Sequence, residues 1–284
     1  MSLLFDRQVY FKYGVPGQDD GTRIDGLRVS FDVTKDDGSS ANHANIDVYN
    51  LSRNTVADMQ KDDKHLLLFA GYDDAAGLIF VGDITKAKSE MRNGDRVTTI
   101  ESGDGINALR DSRHNKSYAP GQQASEVMGD LAGSMADKLG MDGEQLSGSV
   151  AEQASGAIEG VTGEFTRGTS VSGNAADSMT RVARANRLDW YIVDGEIRVV
   201  PQDGPDDEEA FVISPDTGLI GSPQWTDEER LEVKTLLQPD IRPRSTVRVE
   251  SREFSGFFLV RSVNHKGDSG WSQDFYSILE CTEL

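Results

Sequence analysis

The chain has 284 residues, of which 48 are acidic and 29 are basic, so its formal net charge is −19. This charge repels nucleic-acid phosphates and anionic lipids, which disfavours a DNA reader and a membrane-surface protein. The length suggests about two domains, and the single cysteine, Cys281, excludes an intramolecular disulfide and is expected to be a buried core residue. No stretch approaches the roughly 18 apolar residues of a membrane span, and residues 1–11 lack a signal peptide's apolar region, so we expect synthesis and folding in a cytosol.

Two alternating segments open the chain. Residues 8–13 and 27–34 alternate apolar with polar side chains, the pattern of strands with one buried face. The loop between them carries turn-forming residues, namely Gly14, Pro16, Gly17 and Gly21. These segments predict a first antiparallel pair.

Residues 42–104 predict a strand, a short helix and a meander of strands. Ala44, Ile46 and Val48 alternate with polar residues, and Ser52 can cap a helix over 54–60. Segments 66–72, 78–84, 84–91 and 96–101 read as four further strands. Asn93-Gly94 between the last two predicts a tight hairpin, because both residues tolerate positive φ.

The composition becomes helical after Asp104. Helices are predicted over 105–113, 124–139 and 175–186, with Gly140 as the stop of the second. Residues 142–173, rich in Gly, Ser, Glu and Ala, are predicted to form an exposed, mobile loop. A hairpin around Asp194-Gly195 is predicted to join strands 190–193 and 197–200.

The last part of the chain is again rich in strands. Residues 201–209 have the composition of a linker, with Pro, Gly and an acidic run, and strands are predicted over 210–213, 231–237, 246–250, 256–266 and 271–282. The sequence therefore predicts a β-rich α+β fold. Its domains would be a β domain at 1–104, a small α+β domain at 105–204 and a second β domain at 205–284.

No signature of catalysis, cofactor binding or metal ligation is visible. His43, His65, His114 and His265 lie in no hydrolase motif, and residues 168–172 lack the last glycine of a nucleophile elbow. Neither Asp36-Asp37-Gly38 nor Asp73-Asp74 has the glutamate that a calcium-binding loop requires, and there is no glycine-rich phosphate loop. We therefore expect no catalytic, cofactor-binding or metal site and no cofactor.

Two enzymatic or binding alternatives stay open. With 48 carboxylates, a glycosidase-like pair on the surface is compatible with the sequence. Trp190, Trp225 and Trp271 could form a sugar-stacking groove, although aromatic residues are sparse. Because Trp190 and Trp271 fall in or at the start of strand patterns, we interpret the tryptophans as core or interface anchors.

Several segments resemble one family in a shared order. ANIDVYNLS at 44–52, LFAGY at 68–72, IFVGDI at 79–84 and ESGDG at 101–105 resemble the first tube-like domain of the baseplate hub proteins of tailed bacteriophages. WYIVDGEI at 190–197 is similar to that family's hairpin in the inserted domain. ISPDTGLIGSP at 213–223 and VKTLLQP at 233–239 are similar to its return into a second tube-like domain.

The resemblance implies a structural virion protein rather than an enzyme. It implies a homotrimer whose two tail-tube-like domains per chain imitate a six-fold ring, joining the tail tube to a three-fold spike or tip protein in the baseplate. DNA would pass through the lumen without sequence-specific recognition, no membrane insertion is implied, and carboxylates lining the lumen would repel the phosphates. The alternatives are a monomeric β-rich binding module and a tail-associated hydrolase that degrades cell walls.

Overall fold

The fold is described by a computed structural model that covers residues 6–18, 21–61, 63–72, 76–157, 163–206, 209–226, 229–252, 255–270, 272 and 274–284. Most strands in these ranges belong to a single sheet, and all but one of its pairings are antiparallel. Helices are concentrated in the middle of the chain. The predicted β-rich α+β class is confirmed.

The first β unit, residues 7–103, contains seven strands and one short helix. Its elements are β1 (Arg7–Gly14), β2 (Thr22–Ile24), β3 (Val29–Asp36), β4 (His43–Tyr49), α1 (Arg53–Met59), β5 (His65–Tyr72), β6 (Gly77–Arg92) and β7 (Asp95–Gly103). Ser52 caps α1 as predicted, because its Oγ accepts a hydrogen bond from the Thr55 backbone N–H at 3.1 Å. The Asn93-Gly94 turn also has the predicted positive φ values, 52° and 91°.

One prediction in this unit is wrong. Segments 78–84 and 84–91 are not two strands but the single 16-residue strand β6. The pairing of β6 with β7 shifts register between Ile84 and Lys86, so Thr85 is the extra residue of a β-bulge. A bulge interrupts the alternation of side chains without ending the strand, which is why the sequence suggested a break there.

The middle unit, residues 106–201, contains five helices and two two-stranded antiparallel sheets in its described residues. Its elements are α2 (Ile106–Asp111), β8 (Arg113–Tyr118), α3 (Ala124–Gly133), α4 (Ala136–Leu139), α5 (Gly143–Ala157), β9 (Thr169–Asn174), α6 (Ala175–Ala185), β10 (Leu188–Val193) and β11 (Glu196–Pro201). The helix predicted over 124–139 is interrupted, since Ser134 Oγ bonds the Asp130 carbonyl at the end of α3. Gly140 ends α4 with φ 71°, as predicted.

The prediction of a mobile loop at 142–173 is wrong for the residues that the structure describes there. Residues Gly143–Ala157 form α5, which buries Leu146, Val150 and Ala154 at helical spacing, and Thr169–Asn174 form β9. Helix α5 lies very close to α3: a Cβ added to Gly129 would stand 2.6 Å from the Ser147 carbonyl oxygen. Small residues permit this approach, and they also weaken the apolar pattern from which a helix is predicted. Residues 158–162 lie outside the described ranges.

Two glycine substitutions are expected to change stability in opposite directions. Gly129→Ala should destabilise the protein by about 1–3 kcal/mol, because the added methyl overlaps the backbone of α5. Gly148→Ala, on the exposed side of α5 with open space around it, should stabilise by about 0.5–1 kcal/mol through helix propensity. Urea denaturation of both variants measures these changes. If both variants changed the free energy of unfolding by the same amount, the close packing of α5 on α3 would be contradicted.

The last β unit, residues 210–283, contains six strands. They are β12 (Ala210–Ile213), β13 (Gln224–Trp225), β14 (Leu231–Leu236), β15 (Thr246–Glu250), β16 (Ser255–Asp268) and β17 (Phe275–Glu283). The five predicted strands are confirmed within a few residues, except that β17 begins at Phe275 and Trp271 lies outside the described residues. The two-residue strand β13 is too short to show a pattern in sequence.

Both β units belong to the same sheet. Its order is β13-β14-β17-β16-β3-β4-β7-β6-β5-β1-β2, with β15 beside β16 and β12 parallel to β15. The units join where Ser262–Asp268 of β16 pair antiparallel with Ser30–Asp36 of β3. We call this pairing the seam. Sequence analysis predicted two β regions but not that they share one sheet.

Three large hydrophobic clusters correspond roughly to the three parts of the chain. One includes Phe11, Ile46 and Leu68 of the first β unit, but it also takes in Leu237 and Phe275 from the last unit. The second is built on the helices and on β10 and β11, and the third lies within the last β unit. Cys281 is fully buried in the third cluster, as predicted, and burial raises the pKa of its thiol to about 12. The domain boundaries themselves remain a prediction.

Candidate functional site

The four histidines lie apart from one another. His43 is exposed on β4, His114 lies between Ser134 and Tyr118, and His265 in β16 bonds Ser277. Burial and the nearby Lys35 hold the pKa of His265 well below its usual value. Among the described residues, no group of three or more His, Cys, Asp or Glu side chains is placed to hold a metal ion.

One histidine does have a carboxylate partner. His65 Nε2 lies 2.8 Å from Asp83 Oδ1. Asp83 also accepts hydrogen bonds from the backbone and side-chain N–H groups of Asn107, both at 2.9 Å. These contacts connect α2 to β5 and β6, so the pair anchors the start of the middle unit.

A group of charged side chains, three of them buried and one partly exposed, lies where the three units meet. Lys35 comes from β3, Asp104 follows β7, Asp194 is the turn between β10 and β11, and Arg242 belongs to the last β unit. We call these four residues the polar junction. Lys35 Nζ lies 2.6 Å from Asp194 Oδ1, and Arg242 Nε lies 3.3 Å from Asp194 Oδ2. Each unit therefore supplies at least one charge to the same contact.

The turn that carries Asp194 is buried, although hairpin turns are usually exposed. Asp194 and Gly195 have φ values of 53° and 81°, as the sequence predicts for a tight turn. The Gly195 N–H donates to Asp104 Oδ1 at 3.1 Å, and Asn42 Nδ2 donates to the Ile192 carbonyl at 2.8 Å. The tip of the β10–β11 hairpin is thus held between the two β units.

A second set of ion pairs surrounds Arg244, which is almost fully buried. Its Nε lies 2.5 Å from Asp37 Oδ2, and its Nη2 lies 2.8 Å from Asp189 Oδ2. Arg261 of β16 also contacts Asp37, at 3.1 Å. Asp37 follows β3 and Asp189 belongs to β10, so this set again connects all three units.

Asp104, a member of the polar junction, has a strongly raised pKa. Burial, with the neighbouring Asp194 carboxylate as the second cause, raises its pKa to about 8, while Lys35 and the Gly195 N–H oppose the rise. Its Oδ2 atom is buried and has no hydrogen-bond partner among the described residues. Both the raised pKa and the missing partner favour the neutral carboxyl at physiological pH.

This raised pKa predicts a specific dependence of stability on pH. The folded protein holds a proton on Asp104 that the unfolded chain loses near pH 4, so the free energy of unfolding should fall as pH rises from about 4 to about 8. The expected contribution is on the order of 1.4 kcal/mol per pH unit within that window. In Asp104→Asn this contribution should be absent, whereas the exposed Asp25→Asn should behave as wild type. Urea titrations between pH 4 and 9 measure both, and parallel curves for Asp104→Asn and wild type would contradict the assignment.

Mostly polar side chains cover one face of the sheet across the seam, with Ile278 of β17, opposite Asn264, as an apolar exception. The pairings place Asp32 next to Asn45 on one side and next to Lys266 on the other. The same face continues over the neighbouring strands, and we call it the open face: Ser30, Asp32, Asn45, Asp47, Thr99, Glu101, Asn264, Lys266, Tyr276 and Glu280. Each of its four carboxylates is ion-paired with a basic side chain, as in the pairs Arg92–Asp47 at 2.7 Å and Lys266–Asp32 at 3.7 Å.

The open face carries a shallow pocket of about 390 Å³. Among the described residues that line it, Phe31 is the one aromatic residue. Trp190 is buried and donates from Nε1 to Thr180, and Trp225 is half exposed and meets Phe258 edge-on. These two tryptophans therefore lie in different units and do not form a common sugar-stacking groove, while Trp271 lies outside the described residues.

Comparison with solved structures shows the same fold in tail proteins. The chain is similar to a 43 kDa tail protein of the prophage MuSo2 from Shewanella oneidensis, with 8% identity, a TM-score of 0.63 and 98% of each chain covered. It is similar to a tail protein from Neisseria meningitidis at 11% identity and a TM-score of 0.61, covering 98% of this chain and 97% of that one.

A third similar structure is a component of the type VI secretion system of Escherichia coli, described as structurally similar to bacteriophage tail proteins. The identity is 11%, the TM-score 0.54, and the match covers 96% of this chain and 77% of the other. The sequence matches no protein-family model and no curated protein. No helix in the described part of the chain is long and apolar enough to cross a membrane.

The side chains at the meeting point of the units were missed by sequence analysis, which found no site. Lys35 follows Val29, Phe31 and Val33 at the positions of β3 whose side chains point inward. A lysine at a position where the alternation predicts a buried side chain was the signal in the sequence that could have indicated this site. Chemically, the arrangement can hold three units in fixed positions. It places no nucleophile beside a base in the manner of a hydrolase.

Proposed function

We propose that this protein is a structural, non-enzymatic baseplate hub of a phage or phage-like tail. In this proposal three copies form a ring that adapts a six-fold tail tube to a three-fold spike or tip protein, and the ring is part of the channel for DNA. Its partners would be further copies of the chain, the tube, the spike and other baseplate proteins. The location would be the virion tail. The fold shared with solved tail proteins supports this assignment.

The observation that carries the proposal is a repeated strand order. The first β unit runs β3-β4-β7-β6-β5-β1 across the sheet, and the last runs β13-β14-β17-β16-β15-β12. In each unit a long strand with a bulge, β6 or β16, pairs with a nine-residue strand, β7 or β17. The two units are therefore alike in order and in the lengths of their central hairpins.

Equivalent positions also carry similar contacts. The bulge between Ile84 and Lys86 corresponds to the register shift between Val260 and Ser262. Four positions after each bulge residue, Ser89 Oγ meets Thr98 Oγ1 at 2.8 Å, and His265 Nδ1 meets Ser277 Oγ at 2.8 Å. Two similar units per chain, multiplied by three chains, give six similar units around one axis.

The open face is the best candidate for the channel wall, because it is largely polar and continues across both units. Its four carboxylates are paired with Lys86, Arg92, Arg230 and Lys266, so DNA passing along it would meet both signs of charge. This differs from the uniformly acidic wall expected from the net charge of −19. Balanced charge would still limit adhesion, since phosphates would find few unpaired cations.

Sedimentation velocity over a range of concentrations, followed by negative-stain imaging, tests the proposal. The expected result is a concentration-dependent trimer with a central opening. A monomer at every concentration would overturn it, and so would activity on cell walls in a zymogram, which would favour the hydrolase. A monomer that binds a small ligand in a single pocket would favour the binding module.

A further inference from the structure

We propose that the distal half of β6, residues 86–92, is the docking edge for strand β13 of a neighbouring copy of this chain. The inference rests on the proposed function, and it names the strands that close the ring. Each contact between copies would repeat, between β6 and β13, the pairing that the seam makes within the chain between β16 and β3.

Strands β6 and β16 occupy equivalent positions in the two β units. Aligned on their bulges, residues 86–92 of β6 correspond to Ser262–Asp268 of β16, which are the residues that β3 covers at the seam. Strand β5 pairs with β6 only as far as Asp83. Beyond the bulge, β6 therefore pairs along one edge with β7, and the strand that would correspond to β3 is missing among the described residues.

Equivalent residues of the two strands differ in exposure, as expected if β16 is covered by a neighbouring strand and the distal half of β6 is not. Gly267 of β16 is buried against Phe31 and Phe275, whereas the equivalent Met91 of β6 is 68% exposed. Met91 is the most exposed of the large hydrophobic residues in the described part of the chain. An apolar side chain at an uncovered sheet edge is typical of a position that a partner strand covers.

The backbone of this edge offers hydrogen-bonding groups to a partner. The Ala87 carbonyl points away from β7, since it accepts from Nε2 of Gln60, the residue after α1, at 2.7 Å, and this one group is therefore already bonded within the chain. Because successive residues of a strand direct their N–H and C=O groups to opposite sides, those of Ser89 and Met91 also point away from β7. At the seam, the equivalent residues His265 and Gly267 pair with Val33 and Phe31.

Strand β13 is the matching element of the last unit. It forms a hairpin with β14 just as β3 does with β4, and it is the end strand of the sheet order. Through these pairings Gln224 is the equivalent of Asp32, and Thr226 is the equivalent of Thr34. At the seam, Asp32 pairs with Lys266 and Thr34 pairs with Asn264. The equivalents of Lys266 and Asn264 in β6 are Glu90 and Lys88, so we expect Glu90 to lie opposite Gln224, and Lys88 opposite Thr226, of the next copy. Pro223 has no N–H to donate, so the added pairing ends there.

The geometry of this contact is head-to-tail. One copy uses an edge of its first β unit and its neighbour uses an edge of its last β unit, so every added copy leaves the same two edges available. The seam relates the two β units of one chain by a rotation. If the contact between copies relates neighbouring units by the same rotation, all six contacts become alike and the ring closes. Strand addition of this kind supplies affinity through main-chain hydrogen bonds.

Disulfide trapping tests the pairing in the full chain. In the double variant Glu90→Cys/Gln224→Cys, oxidation should link copies, because facing residues of antiparallel strands lie within the Cα separation that a disulfide needs. A bond within one chain is out of reach, since seven strand intervals separate β13 from β6 along the sheet. Native Cys281 is fully buried and does not compete.

Non-reducing electrophoresis should show linked dimers and trimers of the double variant, and no linked species with either single variant. Trimers in sedimentation without any linkage would overturn the pairing but not the proposed ring. Monomers at every concentration would overturn both. Linked species longer than three copies would support the pairing and overturn its closure at three.

Met91→Pro provides a second test that does not depend on disulfide geometry. Proline removes an N–H that points away from β7, so the intrachain ladder should remain and the thermal unfolding of the monomer should change little. Association should weaken on the order of tenfold through the lost hydrogen bond. Met91→Ala keeps the N–H and serves as the matched control. Equal association constants for the two variants would contradict the proposed edge.

Discussion

Replacing Lys35 with methionine is expected to lower the free energy of unfolding by about 3–5 kcal/mol. Lys35 and Asp194 are 1% and 2% exposed, and their charged atoms are 2.6 Å apart. Without the ammonium group, Asp194 retains only the longer contact with Arg242, and the buried Asp104 carboxyl is close to it. A buried charge that loses its partner costs much more than an exposed one, because water cannot replace the lost contact.

The structure offers two controls for this variant. Lys35→Met/Asp194→Asn removes both charges and keeps a residue that tolerates positive φ at the turn, so it should recover much of the lost stability. Lys61→Met breaks the exposed ion pair with Asp58 and should change stability little. Urea denaturation measures all three. If the double variant were less stable than Lys35→Met alone, the pair would not act as a unit.

Strong local patterns explain why much of the fold could be predicted. Strand β4 alternates strictly, α1 has a capping serine, and the turns at Asn93-Gly94 and Asp194-Gly195 need residues that adopt positive φ. Each of these signals is contained within about ten residues. The missed elements lack such signals: α5 is built largely on small residues, and β8 and β13 are polar or very short.

The meeting point of the units could not be predicted, because its contacts join residues far apart in the chain. Lys35 and Asp194 are separated by 159 positions, and each has a plausible local interpretation as an exposed charge. The β10–β11 turn in particular has the composition of a solvent-exposed hairpin. Only the position of Lys35 in the inward phase of β3 indicated burial, and it did not indicate the partner.

The seam was hidden for a related reason. Strand β16 has 14 residues, and its first half pairs with β15 while its second half pairs with β3. An apolar pattern shows that a strand is covered, but it does not show which strand covers it. The repeated order of the two β units became visible only through the pairings, since the equivalent positions share few residue types.

Phe275→Ala is expected to cost about 3–5 kcal/mol, the second large effect, because it empties the contact between the last β unit and the core of the first. Phe275 is 3% exposed. Its ring meets Phe31 edge-on at 6.1 Å and Tyr72 at 5.1 Å between centroids, and the Arg7 guanidinium lies over it at 5.1 Å. The ring thus belongs to the cluster of the first unit although β17 belongs to the last.

The matched control for this variant is Phe257→Ala, on the neighbouring strand β16, where the ring is 51% exposed. Its effect should stay below about 1 kcal/mol. A double-mutant cycle with Tyr72→Ala should give a coupling of about 0.5–1.5 kcal/mol for the edge-on pair.

Because the Phe275 side chain joins both β units, the wild-type protein should unfold in a single transition. In Phe275→Ala the two β units should begin to unfold at different urea concentrations, and equal costs for the two alanine variants would contradict a core shared across the seam.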